Sequence, residues 1–235
     1  MIIGLASYKF INNDIQYNIS QIEKAINECN GKIDLLCFGE TFLQGFDSLT
    51  WEYEKDKEIA VSKDSITIQI IKNLSIKYNI DIAFGYIEIE DEKLYSSYAV
   101  IVKGELVANY RRITKNWKEY SITDEHYQEG KQITTFEYKN QNLSIALCGD
   151  LWICPEKFKT NNLLLWPIYV NFTIDEWKIE EQKYAKQAQK VSNNVFMVNS
   201  LSEEPTSYGG SFYFKNGRIE QKLDYEIEKV LLVEA

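Results

Sequence analysis

Short apolar runs alternate along the whole chain with amphipathic stretches and tight-turn signals, and no Pro-, Gly- or Ser-rich linker separates them. This alternation constrains the fold more than anything else in the sequence. Runs of that length form strands or short buried helices, and none approaches the roughly 18–20 apolar residues of a membrane-spanning helix. With only three prolines among 235 residues, a linker would stand out, so residues 1–235 read as a single domain. Residues 2–8 predict a first strand, and Ile15, Ile19, Ile22 and Ile26 recur at helical spacing before a stop at Gly31. Further strands are predicted at 34–38, 80–88, 95–103 and 106–111, with a hairpin turn at Lys103-Gly104-Glu105. An antiparallel pair follows at 134–138 and 143–147, turned at 140–142, and then strands at 163–166, 195–199, 211–214 and 229–233. Helices are predicted at 65–78 and 175–192, and the acidic stretch 52–58 reads as a solvated helix face or a loop. So many hairpins do not suit a strictly parallel sheet; an α/β sandwich of mixed sheets fits better.

Charge and residue counts narrow the chemistry. The chain carries 26 basic against 35 acidic residues, a net charge of −9, which argues against a nucleic-acid partner. The opening MIIGLASYKF lacks a basic region before a long apolar one, so no secretory leader is expected. Cys29, Cys37, Cys148 and Cys154 form no CxxC pair, which predicts reduced thiols and a cytoplasmic setting. His126 is the single histidine, so an HExxH zinc site is impossible and any His dyad must use this residue. Neither GxGxxG nor GxxxxGK[ST] is convincingly present. Hydrolytic chemistry would therefore rest on carboxylates, lysine or cysteine.

Two polar residues stand directly after buried-looking strands: Glu40 after DLLCFG, and Cys148 at the end of LSIALC. Ligands collect at the carboxyl ends of strands in α/β sheets, which makes both site candidates. Taken singly, a cysteine there is more often a small core residue, and a glutamate more often a loop or helix-start charge. Context changes the balance. CFGETFLQGFD, NYRRITKNWKE, DEHYQEG, ALCGDLWICPE and GGSFYFKNG resemble, in order, the PE-x-x-x-x-GY, YRK-x-HL, E-x-x-x-F-x-x-G, CYDL-x-FPE and GGS blocks of the nitrilase superfamily of carbon–nitrogen hydrolases. The resemblance spans nearly the whole chain.

It implies a four-layer αββα sandwich of two mixed β-sheets flanked by helices, with a Glu–Lys–Cys site and neither metal nor cofactor. By motif position Glu40 resembles the general base and Cys148 the nucleophile. Gly149 would offer its backbone N–H to an oxyanion, and Glu125 resembles a second glutamate that orients the lysine and lines the pocket. Asp150, after the nucleophile block, reads as structural. The pattern breaks at the cation: the third residue of YRK is Arg112, which keeps its charge but does not give up a proton at neutral pH. Either that proton-relay role is lost, or Lys115 or Lys118 has assumed it. Lys118 is preferred because Trp117 and Glu119 flank it, although both lysines also read as surface residues. Gly149 in place of the usual aromatic would reshape the pocket floor. His126 reads as an exposed or pocket-rim imidazole, and Trp152 and Trp166 as pocket lining or core.

Two functions follow. The first is hydrolysis of a small linear amide, of omega-amide or carbamoyl type, with water and through a cysteine thioester. The second is a weakened relative that binds a small amide or acid without efficient turnover. The resemblance also implies a homodimer. The physiological substrate is not readable from residue types.

Overall fold

Period-two alternation of apolar side chains decides the layering. In chain order the elements of the computed structural model, which describes residues 1–29 and 31–235, begin with β1 (Ile2–Ser7), α1 (Ile15–Cys29), β2 (Leu35–Cys37), α2 (Tyr53–Ile59) and α3 (Ile66–Tyr78). Next come β3 (Asp81–Glu90), β4 (Lys93–Val102), β5 (Glu105–Arg111), β6 (Thr134–Tyr138), β7 (Gln141–Ile145), α4 (Asp150–Ile153) and β8 (Leu163–Ile168). The chain closes with α5 (Ile174–Gln189), β9 (Asn194–Asn199), the short ribbon β10 (Leu201–Ser202) and β11 (Ser207–Tyr208), β12 (Ser211–Lys215), β13 (Arg218–Leu223) and β14 (Lys229–Glu234).

Two six-stranded sheets result, ordered β14-β1-β2-β3-β4-β5 and β13-β12-β9-β8-β7-β6. Each has three parallel strands at its centre, β1-β2-β3 in one and β7-β8-β9 in the other, with antiparallel strands outside. Along β1 and β2, Ile3, Leu5, Leu35 and Cys37 face the second sheet, while Ala6 and Leu36 face the helices. Both faces of the sheet are thus buried, as parallel strands require. Ile22, Ala25 and Ile26 of α1 and Ile68 and Ile71 of α3 cover the outer face of the first sheet. Trp177, Tyr184 and Ala188 of α5 cover the second. The layers run helix, sheet, sheet, helix, the expected αββα sandwich. Ser65 caps α3, accepting the Ile68 N–H, and Thr173 forms a capping box with Glu176 on α5.

Three local expectations change. The 134–145 hairpin turns at Lys139 and Asn140, both at positive φ (49° and 63°), so β7 starts at Gln141 rather than 143. Strand β13 was not anticipated because RIEQKL is an edge strand with few apolar residues. Its signal was the Asn216-Gly217 pair, at φ 50° and 74° in the structure, a strong hairpin turn. Residues 52–58 fall largely within α2, and their Asp56 is buried rather than solvated: it accepts from Thr50 and Trp51 N–H and from the Tyr127 hydroxyl at 2.7–2.9 Å.

The carboxyl ends of the two parallel triplets meet at the seam between the sheets. The chain leaving β2 reaches Glu40, whose N–H donates to the Ile168 carbonyl at the end of β8 (3.2 Å). From the other side β3 presses on this loop. Gly85 N–H donates to the Gly39 carbonyl at 3.2 Å, and a Cβ at Gly85 would overlap Thr41 N and lie 2.6 Å from Gly39 O and 2.7 Å from Glu40 C. Those neighbours are backbone and cannot swing away. Gly85→Ala is expected to lower the unfolding free energy by about 1–3 kcal/mol, seen as a lower urea midpoint at unchanged m-value. An unaltered midpoint would show that the Glu40 loop yields.

Candidate active site

Glu40 is fully buried, and only one of its carboxylate oxygens is held. Oε1 accepts from Arg112 Nη1 at 3.0 Å and from Ser96 Oγ at 3.2 Å, while Oε2 is buried without a hydrogen-bond partner among the described residues. A free carboxylate oxygen away from water is costly unless something arrives to use it.

Arg112 follows directly on β5 and is 3% exposed. Its guanidinium is tied on three sides. Nε donates to Thr114 Oγ1 (3.4 Å), Nη1 to Glu40, and Nη2 to the carbonyls of Lys115 (3.2 Å) and Asn116 (3.4 Å). Thr114 in turn donates through both N–H and hydroxyl to Asp150 Oδ1, at 3.1 and 2.7 Å. Asp150 Oδ2 accepts from Tyr110 O–H at 2.5 Å and Leu147 N–H at 2.8 Å. All four acceptor positions of this buried carboxylate are used for structure.

Cys148 begins the turn between β7 and α4, with φ at 38°. A non-glycine residue in the left-handed region is strained, and such residues concentrate at functional sites. The turn is fixed by Cys148 N–H to Pro167 O (3.0 Å), Asp150 N–H to Leu147 O (2.8 Å) and Trp166 Nε1–H to Cys148 O (2.9 Å). The thiol points to the Tyr169 carbonyl at 3.8 Å, and Cys148 and Gly149 are both partly exposed. Glu40 and Cys148 lie close enough for each to alter the other's hold on a proton.

Burial dominates the electrostatics. It pushes the Glu40 carboxyl above its ordinary 4.5, against the opposing pull of Arg112, the Cys148 thiol and Ser96. Burial and then the Glu40 charge push the Cys148 thiol up to about 12, with Arg112 pulling the other way. Burial also works against the charge of Arg112, but Glu40, Cys148 and Asp150 outweigh it and hold the guanidinium more firmly protonated than usual. A thiol so placed keeps its proton at neutral pH until a base removes it.

The structure thus brings Glu40, Arg112, Cys148 and Gly149 together and places the other candidates elsewhere. Lys118 turns to the Tyr127 carbonyl and to Glu129 (3.5 Å), not to Glu40. Lys115 is exposed, its ammonium 5.6 Å above the Tyr120 ring. Glu125 does not reach this site: it is exposed and lines a separate polar groove of about 860 Å³ with Lys63, Tyr95 and Arg111. It stands two residues before the anchored Tyr127, not the four of the E-x-x-x-F block, and the turn there sends it outward. His126 stacks on Tyr53 at 3.7 Å and bonds to Asp124. Trp166 is buried and holds the Cys148 carbonyl, whereas Trp152 is 41% exposed. Ser96 and Thr114 were missed; as lone hydroxyls on a strand and in a loop they carry no sequence signal.

The carbon–nitrogen hydrolase family pattern matches residues 2–234. The chain belongs to the carbon–nitrogen hydrolase family. The chain resembles a glutamine-dependent NAD(+) synthetase of Aquifex aeolicus (strain VF5), 29% identical over 156 residues, which are 64% of this chain and 26% of the synthetase. An (R)-stereoselective amidase of Pseudomonas sp. is 24% identical over 138 residues, covering 59% of this chain and 47% of the amidase. The aligned regions therefore span less than half of either relative. Among solved structures, an amidase from Nesterenkonia sp. has the same fold at a TM-score of 0.79 and 18% identity, covering 99% of this chain and 88% of that one.

The mutual influence of base and thiol is measurable. Glu40→Gln removes a charge that raises the thiol, so the pH at which Cys148 becomes alkylated by iodoacetamide is expected to fall below that of the wild type. Labelling followed by peptide mass against pH checks this, and an unchanged or higher midpoint would disconnect the two groups.

Proposed function

We propose that this carbon–nitrogen hydrolase cleaves a small linear amide through a thioester on Cys148, with Glu40 as the only proton carrier. One observation supports this reading above the others: a buried carboxylate with one oxygen clamped by Arg112 and Ser96 and the other unpartnered, beside a partly exposed cysteine on a strained turn. Glu40 takes the thiol proton as Sγ attacks the amide carbon. The proton passes to the leaving nitrogen, ammonia or amine departs, and a thioester remains. Water, deprotonated by the same carboxylate, then attacks the thioester carbon; Sγ leaves and regains the proton, and the acid is released. Bonds and protons balance to amide plus water giving acid plus ammonia.

Each tetrahedral oxyanion needs donors. Gly149 N–H, next to the nucleophile, is one. Arg112 is the other: four of its five N–H groups have acceptors in the protein, which leaves one Nη1 hydrogen for the substrate oxygen. A guanidinium stabilises charge but does not relay protons, which assigns every transfer to Glu40. The reading draws support from the Nesterenkonia amidase, in which a variant with glutamate replaced by glutamine shows acrylamide added at the active-site cysteine.

Ammonia release from a panel of omega-amides and carbamoyl compounds tests the proposal. Cys148→Ala is expected to abolish turnover, Glu40→Gln to lower kcat by about 10²–10⁴, and Arg112→Met by about 10²–10³. Lys118→Ala is expected to leave kcat unchanged. Ligand binding without ammonia release or a covalent adduct would favour the binding-only reading, and a loss of kcat in Lys118→Ala would return the cationic role to that lysine.

A further inference from the structure

We propose that Gly149 is a positioning residue: the absence of its side chain makes room for an arginine, rather than a shorter cation, beside Glu40 and Cys148. This rests on the site assignment above and deepens it. The backbone at Gly149 has φ −64° and ψ −13°, a right-handed conformation open to any residue, so glycine is not required for its conformational freedom. It is required for space. A Cβ built on Gly149 would overlap Arg112 Nη2 and approach Cζ to 3.3 Å, with Ile153 Cδ1 at 3.7 Å.

The far end of an arginine can ordinarily step aside. Arg112 cannot do so without loss: it is 3% exposed, Nη2 is held by two loop carbonyls, and the same planar group carries Nη1 to Glu40. Moving Nη2 out of the way rotates or withdraws Nη1, because the guanidinium is rigid. Even the smallest side chain at 149 therefore dislodges the cation from the carboxylate. The Gly149 N–H and the Arg112 Nη1–H are the two donors proposed for the oxyanion, so a side chain would disturb both at once. Arginine at 112 and glycine at 149 act as one steric unit, and the two departures from the sequence pattern have a single cause. A lysine at 112, with no Nη2, would lift the restriction at 149.

A double-mutant cycle over Gly149→Ala and Arg112→Lys tests this, with two readouts on each variant. The first is kcat for ammonia release. The second is the rate of Cys148 alkylation by iodoacetamide at fixed pH, which needs no turnover and so stands even if the amidase assignment fails. Gly149→Ala alone is expected to lower both rates by about tenfold or more, the effect of roughly one unit in the thiol's proton affinity. In the Arg112→Lys background the same substitution is expected to cost neither readout. Circular dichroism confirms folding; should Gly149→Ala fail to fold, recovery of the fold in the double variant reads the same coupling as stability. Equal losses from Gly149→Ala in both backgrounds, or in neither, would overturn the proposal. Coupling in alkylation with no ammonia from the wild type would sink the amidase reading and leave this one standing.

Discussion

A carboxylate and a guanidinium at 0% and 3% exposure face each other between two sheets, and the organisation of the site follows from keeping that pair tolerable. Withdrawing each charge from water costs several kcal/mol, and mutual attraction offsets this only when the remaining hydrogen-bonding groups are also met. Arg112 comes near the condition, with Thr114, Glu40 and two loop carbonyls accepting four of its five N–H groups, and Asp150 braces Thr114 in turn. Glu40 does not meet it. Its second oxygen has no hydrogen-bond partner among the described residues, a local deficit that fits the proposed use of the group as a base.

The fold supplies the pair from unconnected parts of the chain. Glu40 comes from the end of β2, Ser96 from β4, Arg112 from just beyond β5, and Cys148 from beyond β7 in the other sheet. Rigid strands deliver the residues, and short loops aim them. The packing at Gly39 and Gly85 leaves the Glu40 loop little freedom: a Cβ at Gly39 would overlap Ser200 Oγ and approach Ile168 O to 3.0 Å. Cys148 is fixed by its own strained turn and by Trp166.

Much of the layering was legible because a strand buried on both faces leaves a dense apolar run, and because Gly and Asn mark left-handed turns. Strand β13 escaped because an edge strand needs little apolar surface, although its Asn216-Gly217 turn was in view. The positions of Glu40 and Cys148 followed from strand ends and motif order. The cation did not, because spacing says nothing about direction once the chain leaves a strand. Between β5 and β6 the chain runs irregularly from 112 to 133, and within it the Lys118 ammonium turns to Glu129 while Arg112, at the strand's exit, turns inward. Glu125 misled for the same reason: in that loop the anchored residue is Tyr127, tied to Asp56, and nearby acids are free to face water. The hydroxyls of Ser96 and Thr114 gain meaning only from what they touch.

Because Glu40 and Cys148 hang from different sheets, their separation depends on how the two halves of the sandwich slide over each other. The Glu40 N–H to Ile168 carbonyl contact works as a rivet across that slip plane, joining the backbone of Glu40 to the strand beside Cys148. A displacement of about an ångström is enough to cost roughly a hundredfold in a reaction that depends on alignment. Under the proposed chemistry, turnover becomes a sensitive gauge of sheet-on-sheet shear, and thermal or pressure-driven slippage would register there while the secondary structure is still whole.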